Sequence, residues 1–243
     1  MSDENNINIE EALKDLFSEV EDNSAFEVTI PSLGKGYTNT NKVVSIRAMN
    51  FDDEKFIAGH SGKTILDDLI KRCVSDVDLE ELYLEDKLFL YYKIREYSFG
   101  SVTKLISKCE ACGQENDLEI DLSQLNIDYA SDDFENPRTI KLPTLQKDVV
   151  VCKLQAHNQD YAKTPEQLLD NLWRFIKKIG EYTDPILISK VVKKLSSADL
   201  RSITGSINQV DFGLDTRARY VCNSCRTENT ALVGLSSDFF TLS

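Results

Sequence analysis

Four of the six cysteines in this 243-residue chain occur in two copies of one short phrase. Residues 108–116 read KCEACGQEN and residues 221–229 read VCNSCRTEN, so each copy has a Cys-x-x-Cys pair, two further residues and Glu-Asn. A pair of this kind, in a turn between two strands, directs both sulfurs to one point and supplies two corners of a tetrahedron. Since structural zinc needs four ligands, the spacing predicts one shared site, built from Cys109, Cys112, Cys222 and Cys225.

Four thiolates around Zn²⁺ leave no open coordination position, so such a site activates no water and is structural. Three other uses of the same cysteines stay open: two disulfides, a redox-active pair and an iron–sulfur cluster. We favour zinc because neither pair has the basic neighbours that lower the pKa of a reactive thiol. The other two cysteines, Cys73 and Cys152, lie in apolar helix and strand patterns and are expected to be core thiols.

The elements that would position these pairs are predicted in the same order twice. In the first half, strands at FEVTIPSLGKGY and VVSIR precede helices over 65–74 and 84–97 and a strand that enters the first pair. In the second half, strands within 138–153 precede helices over 168–177 and 198–208 and then the second pair. Thr164 is the predicted N-cap of the first of these two helices, with a proline following it.

The similarity of the two halves extends to individual residues. At an offset of 113, residues 86–123 match residues 199–236 at eleven of 38 positions, where composition alone gives about two. We interpret this as an internal duplication. The predicted fold is therefore α+β, with two related halves of short strands and about three helices each, joined at a shared four-cysteine zinc-ribbon-like site. The predicted divisions are an acidic docking segment at 1–25 and repeats at 26–128 and 129–243.

The first residues carry a pattern of their own. Residues 1–27 hold nine acids and one base, and their apolar residues fall at helical spacing. This pattern fits either a helix packed on its own domain or a segment that docks on a partner. We also consider the PSLGKGY loop as a binding loop, although its glycines equally fit a turn that needs positive φ. The candidate partner-binding residues are Ile9, Leu13, Leu16, Phe17, Val20, Gly34, Gly36 and Tyr37.

Bulk composition narrows the class of protein. The chain is 41% apolar and 28% charged, with no apolar run of the roughly 20 residues that a membrane span needs and no basic-then-apolar leader. We expect a protein of the reducing cytoplasm. The net charge of −13 and the lack of a basic stripe disfavour nucleic acid as the main partner. GHSGKT (59–64) lacks the first glycine of a phosphate-binding loop, and no catalytic motif is present, so we expect no enzyme.

Four segments in order resemble a known family: PSLGKGY, then VVSIRAMNFDDEKF, then REYSFG, then KCEACGQENDLEIDL. They are similar to the T4-type bacteriophage baseplate hub proteins, which include hub assembly factors. The resemblance covers residues 26–125 well and the second half as a diverged copy. It implies a structural or assembly role at the base of a contractile phage tail. The implied partners are hub, tail-tube and tape-measure proteins, and the implied locations are the virion and the infected host's cytoplasm.

Two alternatives to a permanent virion component remain. The first is an assembly chaperone that leaves before the particle is finished, which the acidic start would suit as a reversible docking segment. The second, from another class, is a zinc-ribbon module that binds nucleic acid, for which the bases nearest the cysteine pairs would have to be free.

Overall fold

The computed structural model describes Glu10 and residues 25–60, 65–235 and 237–240. These residues form an α+β fold of six α-helices and twelve short β-strands, as the sequence predicts. None of the described helices has the length and apolarity needed to cross a membrane. The predicted N-terminal docking positions lie outside the described residues: Ile9, Leu13, Leu16, Phe17 and Val20.

The first half is a small sheet covered by helices and followed by a hairpin. Its sheet has the antiparallel order β1-β2-β3, and the first cysteine pair lies at the turn between β4 and β5. Its elements are β1 (Phe26–Thr29), β2 (Val43–Ile46), α1 (Phe51–Gly59), α2 (Ile65–Cys73), β3 (Val74–Ser75), α3 (Leu84–Phe99), β4 (Val102–Lys108) and β5 (Glu115–Asp121).

The second half follows the same plan. Its sheet has the antiparallel order β7-β8-β9, and the second cysteine pair lies between β11 and β12. Its elements are β7 (Arg138–Lys141), β8 (Asp148–Val151), α4 (Pro165–Asp170), β9 (Ile176–Ile179), α5 (Pro185–Val192), α6 (Ser197–Ile207), β10 (Gly213–Leu214), β11 (Arg217–Val221) and β12 (Glu228–Leu232). Strand β6 (Ile127–Asp128), at the end of the first half, pairs with β10.

One predicted helix, over 168–177, is shorter than expected. The Thr164 hydroxyl caps α4 by accepting from the Gln167 N–H at 3.1 Å, which confirms the predicted start. After α4 the chain tightens into a 3₁₀ turn over 172–175 and then enters β9. The β-branched Ile176 and Ile179 are buried there against β8, so pairing with the sheet overrides the helical spacing.

The cores do not divide at the predicted boundary between 26–128 and 129–243. One core lies between the β1–β3 sheet and helices α2 and α3, and it also contains Val233, Phe239 and Phe240 from the end of the chain. The Phe239 ring lies 4.9 Å from that of Tyr92, whose hydroxyl donates to the Val233 carbonyl. The other core lies between the β7–β9 sheet and helices α5 and α6. The C-terminal residues thus complete the core of the first half.

The two halves also contact each other along a seam that does not involve the cysteines. After β8 the chain runs along the start of α3, where the Ala156 N–H donates to the Leu82 carbonyl at 2.8 Å. The buried ammonium of Lys153 lies 2.7 Å from the Glu85 carboxylate. The rings of Tyr83 and Phe212 pack edge to face at 5.4 Å. The halves therefore share apolar, ionic and backbone contacts along this seam.

The PSLGKGY loop has an internal role. Gly34 and Gly36 have φ of +73° and +80°, and a Cβ on Gly36 would lie 2.3 Å from the Tyr83 hydroxyl. The Tyr37 hydroxyl accepts from the Tyr83 N–H at 2.7 Å and donates to the Asp86 carboxylate at 2.6 Å. The two glycines therefore fit the second interpretation of this loop, a turn that needs positive φ. Partner binding by Gly34, Gly36 and Tyr37 stays a prediction.

Each half places a buried aspartate under its first loop. Asp86 accepts from the Ser32 N–H at 3.0 Å, and Asp199 accepts from the Thr144 N–H at 2.8 Å. Burial raises the pKa of Asp86 to about 6, against the hydrogen bonds from Ser32 and Tyr37. The pKa of Asp199 is lowered, because hydrogen bonds from the Thr144 backbone and other donors outweigh the opposing effect of burial.

We expect Asp86→Asn to gain stability relative to the parent chain as pH rises from 4 to 7. The folded pKa of Asp86, about 6, exceeds its ordinary value of 3.8, so folding holds the proton longer. The stabilisation that the protonated Asp86 gives the folded state is complete below pH 3.8 and is lost as pH rises through 6. Asparagine does not titrate, so the variant keeps its stability over this range. The expected relative gain is on the order of 1–3 kcal/mol, measured by urea unfolding across this pH range. A pH-independent difference between the two chains would contradict the assignment.

Candidate metal centre

The two cysteine-bearing turns share one backbone geometry. The Gly113 N–H donates to the Cys109 carbonyl at 2.9 Å, and the Arg226 N–H donates to the Cys222 carbonyl at 3.0 Å. Gly113 and Arg226 both have positive φ, +74° and +61°. Each turn thereby folds back after its second cysteine, so that both sulfurs project from the end of the hairpin.

The ends of the two hairpins meet, and the four sulfurs lie together. The Sγ atoms of Cys109 and Cys225 are 3.6 Å apart, and those of Cys112 and Cys222 are 3.7 Å apart. All four lie within 4.8 Å of one another. Sulfurs 2.3 Å from a common tetrahedral ion would be about 3.8 Å apart, whereas a disulfide needs about 2.05 Å. The spacing suits a single ion, and all four thiols are free.

The geometry fits the other predicted uses less well. All six cysteines are free, and a disulfide within either Cys-x-x-Cys pair would leave only two thiolates for an ion. An iron–sulfur cluster places several metal and sulfide atoms between its thiolates, which separates the thiolates more than one shared ion does. Among the residues that the structure describes, this is the one group of three or more potential ligands close enough to share a metal ion.

The second turn favours the thiolate form, which is the form that binds metal. Backbone N–H groups of Cys225 and Ser224 point at the Cys222 sulfur and lower its pKa to about 6. The hydroxyl and the backbone N–H of Thr227 lower the pKa of Cys225 in the same way. These donors are built into the turn itself.

Crowding of the sulfurs acts against the thiolate form in the first turn. The backbone N–H of Gln114 lowers the pKa of Cys112, but the neighbouring sulfurs and desolvation together raise it more, to about 11. Cys109 and Cys222 are buried, whereas Cys112 and Cys225 face solvent. Four sulfurs at this spacing repel one another as thiolates, and a bound dication removes that repulsion.

Two asparagines lock the turns to each other. The Asn229 side-chain carbonyl accepts from the Glu110 N–H at 3.1 Å, and that of Asn116 accepts from the Asn223 N–H at 2.9 Å. The Asn229 amide also donates to the Cys109 sulfur at 3.4 Å. Neither asparagine was predicted as a site residue. The repeated Glu-Asn phrase is the signal that marks them, and the crossed contacts show why both copies carry it.

Each of these contacts between the turns has a counterpart in which the corresponding residues of the two halves are interchanged. Glu110 and Asn223 are 113 positions apart, and so are Asn116 and Asn229. The hydroxyls of Ser107 and Tyr220, also 113 apart, meet each other at 3.2 Å. The two hairpins are therefore related by an approximate twofold axis that passes through the sulfur cluster.

The outward faces of the hairpins carry paired charges. Lys104 lies 3.5 Å from Glu119 across the first hairpin, and Arg217 lies 2.8 Å from Asp215 beside the second. Glu115, Asp117 and Glu119 form an exposed acidic row along β5. Lys108, Arg219 and Arg226 are exposed as well. The surface therefore mixes acids and bases and does not form a uniform basic stripe for phosphates.

A family model described as T4 bacteriophage base plate protein matches residues 5–241, nearly the whole chain. The match includes both halves and all four clustered cysteines. No match was found among curated proteins or among solved structures.

We expect Asn229→Asp to weaken metal binding more than Asn116→Asp does. An aspartate at 229 keeps the acceptor for the Glu110 N–H but replaces the donor to the Cys109 sulfur with a negative charge. Loss of a hydrogen bond to a metal-binding group typically lowers metal affinity about 10- to 100-fold. Cobalt titration of the metal-free chain, followed through its thiolate absorption bands, measures the loss.

The matched control is Asn41→Asp, which adds the same charge at an exposed asparagine of the first half. Its cobalt affinity should equal that of the parent chain. Equal affinities for the parent, the control and both site variants would show that the crossed asparagines do not support the site.

Proposed function

The chain belongs to the T4 bacteriophage base plate protein family, and we propose that it is a non-enzymatic part of the hub of a contractile phage tail. Membership of the family gives a structural or assembly role in the phage baseplate. The four segments from PSLGKGY to KCEACGQENDLEIDL, which resemble hub proteins, support the narrower assignment to the hub. The proposed partners are other hub and tail proteins, including the tape-measure protein. The proposed site of assembly is the host cytoplasm.

We propose that Cys109, Cys112, Cys222 and Cys225 hold one structural Zn²⁺. The sulfur spacing and the thiolate-favouring turns support a tetrahedral ion with soft ligands. Bound there, the ion would supply charge neutralisation and a fixed link between the hairpins. Because all four ligands are thiolates, no position is left for water or substrate, which supports a structural role.

We infer that the halves are copies of one unit, as the offset of 113 predicts. Both sheets have the same antiparallel order, and both aspartates of the pair Asp86 and Asp199 bind the first loop of their own half. Gly100 and Gly213, another pair at this offset, both have positive φ. The boundaries 26–128 and 129–243 remain our proposal for the repeats, with the C-terminal residues added to the first core.

Three sets of contacts between the halves support a role as a rigid building block. The sulfur cluster fixes the hairpins, the seam around Tyr83 and Lys153 fixes the helical parts, and the chain end is buried in the first core. Such a molecule keeps one shape while partners assemble on it. The acidic residues 1–25 and the loop at Gly34, Gly36 and Tyr37 are the proposed partner contacts.

We expect the purified chain to carry one zinc ion, and Cys112→Ser or Cys225→Ser to lose it. Loss of the ion should lower the free energy of unfolding by at least about 3 kcal/mol. Zinc is measured by elemental analysis, and unfolding is followed by Trp173 fluorescence, which reports the second half, and by circular dichroism. The two signals should change together, because the seam couples the halves.

The control is Cys152→Ser, which removes a half-buried thiol outside the cluster and should keep the full zinc content. A zinc content below about 0.2 ions per chain in the purified parent protein would contradict the zinc assignment. Separate transitions by the two probes would contradict the coupling of the halves.

We expect the chain to be recovered with hub proteins from infected cells. Affinity capture of a tagged chain, followed by mass spectrometry, should be compared for free assembly intermediates and finished particles. Presence in particles supports a hub component, and presence only in intermediates supports the chaperone alternative. Recovery with neither would contradict the hub assignment.

A further inference from the structure

An apolar groove lies between α4 and α6 in the second half, away from the cysteines and the seam. Its volume is about 600 Å³, and its floor is formed by leucines at 168, 169 and 200. Leu169 is 46% exposed, which is high for a leucine beside a core. Arg201 and Lys163 stand on the rim, where the Lys163 ammonium lies 2.6 Å from the Asp160 carboxylate, and no acidic residue lines the groove itself.

The corresponding place in the first half is filled. Between α2 and α3, the Tyr91 hydroxyl donates to Asp67 at 2.8 Å and the Lys87 ammonium lies 2.6 Å from the same carboxylate. Tyr91 is only 7% exposed and Lys87 only 5%. Two long side chains on α3 thus reach across and cover α2.

In the second half the side chains that would cover α4 are too short. At the offset of 113, Thr204 replaces Tyr91 and Leu200 replaces Lys87. Asp170, which corresponds to Asp67 in the helix alignment, is exposed. The groove is therefore what remains when the covering pair is lost. This comparison rests on the proposed duplication, whereas the groove itself does not.

The lining defines the chemistry of an occupant. An apolar floor between two helices takes the apolar face of an amphipathic helix. The Arg201 guanidinium on the rim favours an acidic side chain beside that face. A ligand that is neutral or basic around its apolar face would gain nothing from Arg201.

The chain itself contains such a segment in residues 9–20. Its apolar residues repeat at helical spacing, and it has four acids against the single base Lys14. On a helix, Glu10 and Glu19 would flank the apolar face, whereas Glu11 and Asp15 would lie on the opposite side. The apolar residues are Ile9, Leu13, Leu16, Phe17 and Val20.

The short connection favours the segment of another molecule. Phe26 is stacked on Tyr97 at a centroid distance of 4.0 Å, so the chain is anchored in the first half immediately after the segment. The six Cα–Cα steps from Val20 to Phe26 span at most about 20 Å, and the groove lies wholly in the second half. We propose that the groove between α4 and α6 binds residues 9–20 of a second copy of this chain. Reciprocal docking closes a dimer.

The test is self-association of the full-length chain, measured by analytical ultracentrifugation over a range of concentrations. Leu169→Glu places an acid on the groove floor, Arg201→Glu reverses a rim charge, and Phe17→Asp breaks the apolar face of the segment. Each should raise the dimer Kd about tenfold or more. High salt should weaken the dimer of the parent chain, because the rim contacts are ionic.

Two matched controls lie on α5 of the same half, outside the groove. Leu187→Glu changes an exposed leucine, and Lys190→Glu reverses an exposed lysine. Both should leave the dimer Kd unchanged. Circular dichroism checks that every variant is folded. The four substitutions on α4, α5 and α6 replace exposed residues and are expected to leave the fold intact.

Cross-linking identifies the source of the segment. An isotope-labelled chain is mixed with an unlabelled one, and carboxyl–amine coupling joins acids of residues 9–20 to Lys163. Cross-links that pair one labelled with one unlabelled peptide support the proposal. Cross-links found only within one chain, a monomer at every concentration, or a dimer that Leu169→Glu leaves intact would each overturn it.

Discussion

The architecture depends on holding four sulfurs at one point from two turns that are 113 residues apart. Each turn supplies only half of a tetrahedron, so neither hairpin can complete the site alone. The sulfurs of Cys109 and Cys225 come within 3.6 Å only because both hairpins leave their helices in the same way and meet end to end. The crossed contacts of Asn116 and Asn229 then fix one turn against the other.

The cluster does not join the halves by itself. Lys153 is buried beside Glu85, and Tyr83 packs on Phe212, in a seam that does not include the cysteines. The buried ammonium is tolerated because the Glu85 carboxylate and the Gln209 carbonyl replace water. The halves are consequently held at two places, which fixes their orientation as well as their distance. This geometry supports a structural role better than a hinge.

The sequence predicts the parts whose chemistry is local. The four-cysteine cluster follows from Cys-x-x-Cys spacing, and the cap at Thr164 follows from its hydroxyl and the proline after it. The end of α4 could not be predicted, because Ile176 satisfies a helical pattern and a strand pattern equally well. The seam could not be predicted either: Lys153 has the sequence context of an ordinary surface lysine, and only tertiary packing buries it. The role of Asn229 required knowing which turn faces it.

The position of Phe239 and Phe240 bears on how the molecule is made. These residues come after the second cysteine pair in sequence, yet they complete the core around Tyr92 in the first half. The first half therefore keeps an open apolar surface until the residues beyond the second pair have been synthesised. Its folding cannot be finished before the second half has been made, so the two halves are coupled in time as well as in space.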